Sequence, residues 1–421
     1  MIKSLSLFVL AALIAGLAAG AWVQASGDPA LASAAGIVEA FGGLWLNALR
    51  MTVIPLIVSL LITGVASVAD AAKTGGLVGR FVLLFSGLLV FASIYSVFAT
   101  QQLLALWPVD RATAAAFLSG AGGAGASAQA PSFAAWLQAL APSNPFRAAA
   151  DDAVLPLVVF AMFFGFAATR IAQPLRAPLI AFFHAVGETM VVIVHWVLLA
   201  GPIGVFALSL GVGLRTGFGA AGVLVQYVAV VTLVTIGITL VGMVLALTFG
   251  RQPLGRYAIA TTPVWAIAFS TQSSLASLPA MLEAARVGLG IPARITDVIL
   301  PLAVAVFRFT SPVANLAVVL FIAHLYGLEP SGLQIAGAVV VAYGVSIGAV
   351  GLPGQVSFIT SIAPIAIALG VPLDLLGILI AVEVVPDIFR TLGNCAGDIA
   401  ITSILARGEP AADESPSALR D

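Results

Sequence analysis

Residues 383–398 read EVVPDIFRTLGNCAGD and lie within a long apolar segment near the C-terminal end of the chain. Five polar side chains, Glu383, Asp387, Arg390, Asn394 and Asp398, follow one another at spacings of 4, 3, 4 and 4 residues. Because an α-helix turns once every ~3.6 residues, these spacings place all five on one face of a helix. The stretch therefore predicts a helix with one polar stripe in apolar surroundings.

The composition of the whole chain indicates what surrounds this stripe. Of its 421 residues, 61% are hydrophobic and only 8% are charged, whereas soluble domains carry about 25% charged residues. The chain is therefore predicted to lie in a lipid bilayer. Its 42 glycines and 23 prolines indicate closely packed and interrupted spans. The single cysteine, Cys395, excludes an intrachain disulfide, and a formal net charge of −1 gives no sign of nucleic-acid binding.

The charges of the stripe need an explanation inside a membrane. A charged side chain at mid-bilayer costs about 2.5–3.5 kcal/mol, so four of them on one helix require compensating partners. One interpretation is a seam that only joins helices, with Asp387 paired to Arg390. Such a seam has no need for the amide of Asn394 and the carboxylate of Asp398 further along the stripe. The pattern therefore favours a path for substrate and ions.

Apolar runs of the ~20 residues needed to cross a bilayer recur along the chain. They predict an all-α integral membrane protein with eight transmembrane helices. Two further segments, about 258–290 and 334–370, are apolar but interrupted by Ser, Gly and Pro, which is typical of re-entrant helical hairpins. The first apolar run also has the features of a cleaved signal peptide, and this alternative stays open. The eight predicted spans are 4–25, 36–69, 77–106, 152–172, 178–212, 219–249, 296–326 and 375–406.

The positions of the cations predict the topology. Lys and Arg collect on the cytoplasmic side of membrane proteins, and here they share one side if both termini are cytoplasmic. Residues 108–150 then form a long outside loop, and 408–421 form a disordered cytoplasmic tail. The expected location is the cell membrane, of the bacterial inner-membrane type. The cations on the common side are Lys73, Arg80, Arg170, Arg176, Arg251, Arg256, Arg286, Arg294 and Arg407.

The C-terminal half repeats its own organisation. The hairpin 258–290 and the charged span 296–326 are followed by the hairpin 334–370 and the charged span 375–406. The first hairpin should open from the cytoplasm and the second from outside, so the two units are predicted to be inverted repeats. Paired interrupted segments in corresponding positions indicate the midplane binding site of a transporter.

The motif PDIFRTLGNCAGD resembles the eighth-helix signature D-x-x-R-T-x-x-N-x-x-x-D of the glutamate transporter family, the dicarboxylate/amino acid:cation symporters. MTVIPLIVSLLITGVAS resembles the second helix of that family, PSNPFRAAADDAVLPLVVFAMFFGFA the fourth and GPIGVFAL the fifth. AFSTQSSLASLP is similar to the serine-rich tip of its first hairpin, and GLPG to the tip of the second. The similarity runs from about residue 40 to residue 407, with the motifs in family order.

The resemblance implies an elevator-type transporter that forms a homotrimer in the bilayer. Each protomer then has a scaffold and a transport domain that moves across the membrane as a body. The implied boundaries are scaffold helices 1 and 2 at 1–75, transport helix 3 at 76–107, the outside loop with scaffold helices 4 and 5 at 108–212, transport helix 6 at 213–250, and the transport core at 251–407.

The resemblance also implies roles for single residues. Arg390 matches the position that clamps the side-chain carboxylate of acidic substrates, a task that a bidentate guanidinium suits. Asp387 matches the position that receives the substrate's amino group, so the presence of both favours an acidic amino acid. Backbone N–H groups at the hairpin tips are suited to hold the α-carboxylate. The other predicted substrate-binding residues are Thr391, Asn394, Ser273, Ser274, Gly354 and Thr310.

The chain departs from the family at its sodium motifs. Where sodium-coupled members carry N-M-D-G-T in the seventh helix, this chain has FRFTS at residues 307–311. In the third span, the family's tyrosine and threonine correspond to Val82 and Phe85, which leaves only Ser86. Hard cations need several oxygen ligands, and phenylalanine offers none. At least two sodium sites are therefore expected to be absent.

Some sodium ligands of the family remain in this chain. Asp398 and Asn394 are retained from the two side-chain sites. A third site, which the family forms from backbone carbonyls, stays an open alternative because any residue supplies a carbonyl. In this chain it would lie beside Thr310 and at Ser346, Ile347 and Ala349.

Arg308 lies in the middle of the departing motif. Its guanidinium is predicted to occupy the volume vacated by sodium and to neutralise Asp398 as a tethered cation. In one alternative it faces outward and reaches an interface; in another it contacts the substrate, which would favour a more anionic ligand. Pro312 predicts an unwound helix here, because it lacks a backbone donor and disfavours a helical Ser311.

Protons are the expected coupling ion when sodium sites are lost. Desolvation disfavours an ionised carboxylate, so Glu383 and Asp398 are candidate proton carriers, and Arg308 beside Asp398 makes Glu383 the better one. The predicted function is proton-coupled or sodium-independent transport of aspartate or glutamate, with no cofactor. The alternatives are a C4-dicarboxylate symporter, a sodium-coupled member that uses only the backbone site, and an ion channel of the same fold. No motif of an enzyme occurs in the chain.

Overall fold

The computed structural model describes residues 2–73, 76–120, 138, 141–151, 153–216, 220–348 and 354–407. Every regular element within these ranges is helical, which confirms the predicted all-α class. The helices are α1 (Ile2–Ser26), α2 (Pro29–Lys73), α3 (Gly76–Leu106), α4 (Arg111–Gly120), α5 (Pro145–Ala150), α6 (Val154–Ala168), α7 (Gln173–Leu199), α8 (Gly201–Thr216), α9 (Ala220–Thr248), α10 (Leu254–Thr271), α11 (Ser274–Glu283), α12 (Ala293–Val306), α13 (Ser311–Leu325), α14 (Gly332–Gly348), α15 (Gly354–Leu369), α16 (Leu376–Leu379) and α17 (Val384–Leu405).

Six segments of the described chain are long and apolar enough to cross a membrane. They are α1, α2, α3, α7, α9 and the combined segment Ala293–Leu325 that holds α12 and α13. Four shorter apolar helices lie in α6, α8, α14 and α15. These lengths and compositions are those of a multi-pass membrane protein.

Two of the predicted spans are divided in the structure. The span 178–212 is interrupted at Ala200, where α7 ends and α8 begins with Gly201 and Pro202. The span 375–406 is interrupted at residues 380–383, between α16 and α17. Pro202 is the second residue of α8 and Pro386 lies in the first turn of α17, where a missing N–H costs no hydrogen bond within the helix.

The predicted interruption of the seventh span is confirmed. α12 ends at Val306 and α13 begins at Ser311, with Pro312 in its first turn. The four residues between them, 307–310, are not helical and are named the helix break.

Both interrupted apolar segments form pairs of helices that pack against each other, as the predicted hairpins require. In the first pair, α10 turns into α11 at Gln272, whose φ of 54° is left-handed. A π-helical segment, Ala284–Gly288, follows α11. The second pair is α14 and α15, and its tip, residues 349–353, lies outside the described residues. The predicted cytoplasmic tail, 408–421, lies outside them as well.

The helices pack in two groups. The first group contains α1, α2 and α6 to α8, in which α1 packs along α8 and α2 packs against α6, α7 and α8. Small residues allow the closest approach, since a Cβ on Gly20 would come within 2.2 Å of the Leu210 carbonyl oxygen. The second group contains α3, α9 to α15 and α17, with α9 along α17 and α3 along α13. The groups meet where α2 packs against α14 and α15.

Candidate functional site

The helix break lies directly against α17. The backbone N–H of Thr310 donates to Asn394 Oδ1 at 3.0 Å, and the Thr310 hydroxyl lies 2.9 Å from both Asn394 Oδ1 and the Arg390 carbonyl oxygen. Gly393 permits this approach, because a Cβ there would come within 2.3 Å of Thr310 Cγ2. The structure therefore brings together three of the predicted site residues, Thr310, Arg390 and Asn394.

The guanidinium of Arg390 is buried and is held from two directions. Nη1 donates to Glu383 Oε1 at 2.6 Å, and Nη2 donates to Asn315 Oδ1. The Asn315 amide in turn donates to Ser311 Oγ at 3.3 Å. Arg390 is 6% exposed and Glu383 is 2% exposed, so this ion pair is shielded from solvent. A buried ion pair of this kind is costly to form, and removing only one of its two partners is more costly still, because it leaves a buried charge uncompensated.

Glu383 has a second partner outside the polar stripe. The hydroxyl of Tyr227, on α9, donates to Glu383 Oε2 at 3.1 Å. Tyr227 and Asn315 are both fully buried, and sequence reasoning identified neither as a site residue. Each Glu383 carboxylate oxygen thus accepts a hydrogen bond from a different helix.

The pairing of Asp387 with Arg390 considered for a structural seam is not what the structure contains. Arg390 reaches back to Glu383, seven residues earlier, whereas Asp387 makes no side-chain hydrogen bond to the residues that the structure describes. The Thr391 hydroxyl donates to the Asp387 backbone carbonyl at 3.0 Å. Asp387 nevertheless lies within electrostatic range of Arg390 and Arg308. Its carboxylate is therefore compensated by charge and still open to a further hydrogen-bond donor.

Asp398, at the far end of the stripe, is fully buried. Neither of its carboxylate oxygens has a hydrogen-bond partner among the described residues. Arg308 lies within electrostatic range of Asp398, Asp387 and Arg390. The two residues predicted to form a charge pair are thus neighbours, and the Asp398 carboxylate is not hydrogen-bonded to Arg308.

Phenylalanine rings fill the space beside Asp398. Phe309 packs on Gly397, where a Cβ would come within 2.8 Å of Phe309 Cβ. Phe307 lies 5.5 Å from Phe309 and 6.0 Å from Phe85, measured between ring centroids. The Ser86 hydroxyl accepts a hydrogen bond from Tyr343, on α14, at 3.0 Å. The positions at which sodium-coupled relatives were expected to supply oxygens hold an aromatic cluster and one hydroxyl that already has a partner.

The tip of the first hairpin also reaches α17. Ser273 is the N-cap of α11, and its hydroxyl accepts a hydrogen bond from the Ala276 N–H at 3.2 Å. Ser274 and Ser277 lie against the Cys395 thiol, one residue after Asn394. The start of α11 therefore lies against the helix that carries the polar stripe.

The described residues include only part of what the second hairpin is predicted to contribute to the site. Gly354 begins α15, and the residues just before it lie outside the described ranges. Ser346 and Ile347 are buried on α14, with the Ser346 hydroxyl donating to the Ala342 carbonyl at 2.6 Å. Ala349, the remaining residue of the predicted backbone-carbonyl site, is outside the described residues. Within those residues, no group of three or more His, Cys, Asp or Glu side chains could hold a metal ion.

Interrupted membrane helices, two helical hairpins and a buried polar stripe are the features of a secondary transporter. The chain belongs to the sodium:dicarboxylate symporter family, whose model matches residues 5–408. This confirms the resemblance found in the sequence. It also confirms the prediction of a secondary transporter, because the family consists of symporters and not of enzymes.

Named relatives cover nearly the whole chain. The proton/glutamate-aspartate symporter of Escherichia coli (strain K12) is 26% identical over 419 residues, covering 96% of this chain and 93% of its own. The proton/sodium-glutamate symport protein of Geobacillus stearothermophilus is 25% identical over 405 residues, covering 94% and 92%. The neutral amino acid transporter B(0) of Homo sapiens is 30% identical over 438 residues, covering 94% and 78%. The names of the two bacterial relatives give protons, or protons and sodium, as coupling ions.

Proposed function

We propose that this protein is a symporter of acidic amino acids, aspartate or glutamate, which couples transport to protons and not to sodium. The observation that carries the proposal is the buried Arg390 guanidinium on the same stripe as Asp387, whose carboxylate accepts no hydrogen bond from the residues that the structure describes. A guanidinium binds a carboxylate bidentately, and a carboxylate without a donor suits an ammonium group. A substrate with both groups matches the pair.

The remaining polar groups fit the other end of an amino acid. Thr391, Asn394 and Thr310 surround the point where the helix break meets α17. The start of α11 at Ser273 and Ser274 supplies N–H groups for the α-carboxylate, and Gly354 does so from the second hairpin. A C4-dicarboxylate such as succinate would place a second carboxylate, instead of an ammonium, against Asp387. The arrangement therefore favours amino acids over plain dicarboxylates.

The aromatic side chains and the guanidinium near Asp398 support transport that is independent of sodium. Phe307, Phe309 and Phe85 offer no oxygen ligands, and the Ser86 hydroxyl is bound to Tyr343. Arg308 supplies a positive charge within electrostatic range of Asp398. Arg308 is thus proposed to act as a tethered cation in place of sodium. The competing assignment is one sodium held by carbonyls beside Thr310 and at Ser346, Ile347 and Ala349.

Glu383 is the proposed proton carrier. A substrate carboxylate that binds Arg390 places a second negative charge beside Glu383, and two carboxylates this close do not both stay ionised at low energetic cost. A proton on Glu383 removes the repulsion, so each substrate would enter together with a proton. Because binding then takes up a proton, substrate affinity should rise as the pH falls. Asp398 is the second candidate, and the nearby Arg308 opposes its protonation.

The two helix groups support a division into scaffold and transport domain. The first group follows the proposed scaffold segments, 1–75 and 108–212, and the second follows the proposed transport segments, 76–107, 213–250 and 251–407. In this proposal the second group moves across the membrane as a body. Both termini are then cytoplasmic, and the membrane is a cell membrane of the bacterial inner-membrane type.

A homotrimer is proposed as the assembled form, and α7 supports it. Only 11% of the most apolar stretch of this helix is buried within the chain. Glu188, in the middle of α7, is exposed, as are Phe182 and Trp196. A carboxylate at that depth is costly against lipid, whereas a second copy of the chain can cover the surface.

Uptake by purified protein in liposomes tests the function directly. Labelled aspartate is offered with an inward proton gradient, an inward sodium gradient, or neither. The expected result is accumulation with the proton gradient alone. Accumulation that requires sodium would contradict proton coupling, and current without aspartate flux would favour the ion channel.

A further inference from the structure

A hydrogen bond from Tyr227 to Glu383 joins α9 to the polar stripe. Tyr227 is fully buried, lies on α9 and belongs to neither hairpin. Its ring packs edge-on against Phe321 of α13, with 5.5 Å between the ring centroids. The packing of α9 against α13 therefore helps to fix the position of the Tyr227 ring.

The contact keeps Glu383 in a place where other charges oppose it. Asp387 lies within electrostatic range of Glu383 and repels it. Two donors hold the Glu383 carboxylate against this repulsion, Arg390 Nη1 at 2.6 Å and the Tyr227 hydroxyl at 3.1 Å. Without the hydroxyl, Glu383 Oε2 would be a buried acceptor with no partner, and a rotation away from Arg390 would become more favourable.

Arg390 therefore has a carboxylate partner within the chain itself. The guanidinium is paired with Glu383 and with the amide of Asn315. An unpaired guanidinium at this depth would be strongly unfavourable. A bound substrate can compensate the charge of Arg390 with its own carboxylate. Without substrate, Glu383 is the carboxylate among the described residues that contacts this guanidinium.

We propose that Tyr227 is a positioning residue that holds Glu383 on Arg390 when no substrate is bound, so that the empty transport domain returns across the membrane with its guanidinium compensated by an internal ion pair. This proposal rests on the proposed function. It separates two steps of transport. The loaded carrier crosses with the substrate on Arg390 and does not need Tyr227. The empty carrier crosses with Glu383 on Arg390 and therefore needs Tyr227.

The variant Tyr227→Phe tests this separation, because it removes one hydroxyl and keeps the ring that packs on Phe321. Two modes of transport are measured in liposomes. Net uptake of labelled aspartate requires the empty carrier to return, whereas exchange of external labelled for internal unlabelled aspartate uses only the loaded carrier. Net uptake is expected to fall about tenfold and exchange to change less than about twofold, as the loss of one buried hydrogen bond to a charged group would give.

A matched control removes a hydroxyl that contacts the same helix. Tyr95 donates to the Val234 carbonyl of α9 at 3.1 Å and does not touch Glu383. Tyr95→Phe should leave both modes unchanged. The variant Glu383→Gln, which keeps the side-chain shape, should show the same selective loss of net uptake as Tyr227→Phe, to a larger degree.

Each outcome decides between the proposals. An equal loss of net uptake and exchange in Tyr227→Phe would make Tyr227 a structural residue only, and so would unchanged activity in both modes. If Tyr227→Phe does not fold, an equal loss of the two modes in Glu383→Gln overturns the inference in its place. Failure of the wild type to move any acidic amino acid in either mode would overturn the proposed function itself.

Discussion

Two buried carboxylates, Glu383 and Asp398, stand at opposite ends of one polar stripe and have opposite surroundings. Both oxygens of Glu383 accept hydrogen bonds, from Arg390 and Tyr227. Neither oxygen of Asp398 has such a partner among the described residues, and its neighbours include Phe309 and a guanidinium within electrostatic range. Burial alone therefore does not define the role of a carboxylate. In the proposed mechanism, Glu383 exchanges its place on Arg390 with the substrate, whereas Asp398 is compensated permanently by Arg308.

The largest effect on this contrast between Glu383 and Asp398 is expected from replacing Arg308. Replacing it with Met leaves Asp398 without its proposed counter-ion, and loss of one partner of a buried pair typically costs about 3–5 kcal/mol. Arg308→Met should therefore be strongly destabilised or inactive. Adding Asp398→Asn should restore part of the loss if the two charges compensate each other. Thermal unfolding of the single and double variants in detergent measures this, and equal stability of the two would show that no pair exists.

At the other end of the stripe, Arg390→Ala removes the charged partner of Glu383 and leaves it only the hydrogen bond from Tyr227. Acidic amino acids should lose about 100-fold or more in affinity, since truncating one member of a buried charge pair costs about 2–5 kcal/mol. Neutral amino acids, which do not need the guanidinium, should lose less. Calorimetric titration with aspartate and serine measures both. Equal losses for the two ligands would remove Arg390 from its assigned role.

The ranking of substrates tests Asp387, which lies between the two ends. Aspartate or glutamate should bind at least about tenfold tighter than succinate, because a hydrogen bond to a charged group contributes about 1.5–3 kcal/mol. Either should also bind more tightly than serine, which leaves Arg390 without a carboxylate. Calorimetry on wild-type protein gives the order. If succinate bound more tightly than both acidic amino acids, the protein would be assigned as a dicarboxylate transporter.

The smallest expected effect is that of sodium on substrate affinity. If Arg308 supplies the charge at Asp398 permanently, the Kd for aspartate should change by less than about twofold when sodium replaces a large organic cation at fixed ionic strength. The same titration on Arg308→Met with Asp398→Asn is the reference. A tightening of wild-type binding by about tenfold, or 1.4 kcal/mol, would show that a sodium site survives.

The polar stripe and the helix break could be predicted because each has a signal along the chain. The spacing from Asp387 to Asp398 is helical, and Pro312 marks the break. The contact of Thr310 with Asn394 joins residues 84 positions apart, and only resemblance to a family suggested that the two would meet. Spacing alone cannot predict such a contact.

The partners of the stripe could not be predicted from the sequence for a different reason. Tyr227 and Asn315 lie in largely apolar runs, and their positions along the chain show no relation to the polar stripe. Their function depends on which helix lies opposite, and that is set by tertiary packing. Pro386 was only a weak signal of the interruption before α17, because proline favours the first turn of a helix but also lies inside other helices of this chain, as at Pro55 and Pro263.

The helix break also acts through the dipoles of the two helices that it separates. α12 ends at Val306 and presents the negative end of its macrodipole to the break, while α13 begins at Ser311 and presents the positive end. Arg308 follows the negative end directly, and the Thr310 N–H near the positive end donates to Asn394. A helix end of this kind contributes about 0.3–1 kcal/mol to a neighbouring cation. The peptide backbone therefore favours a positive charge at position 308 even in a chain whose Asp398 carries none.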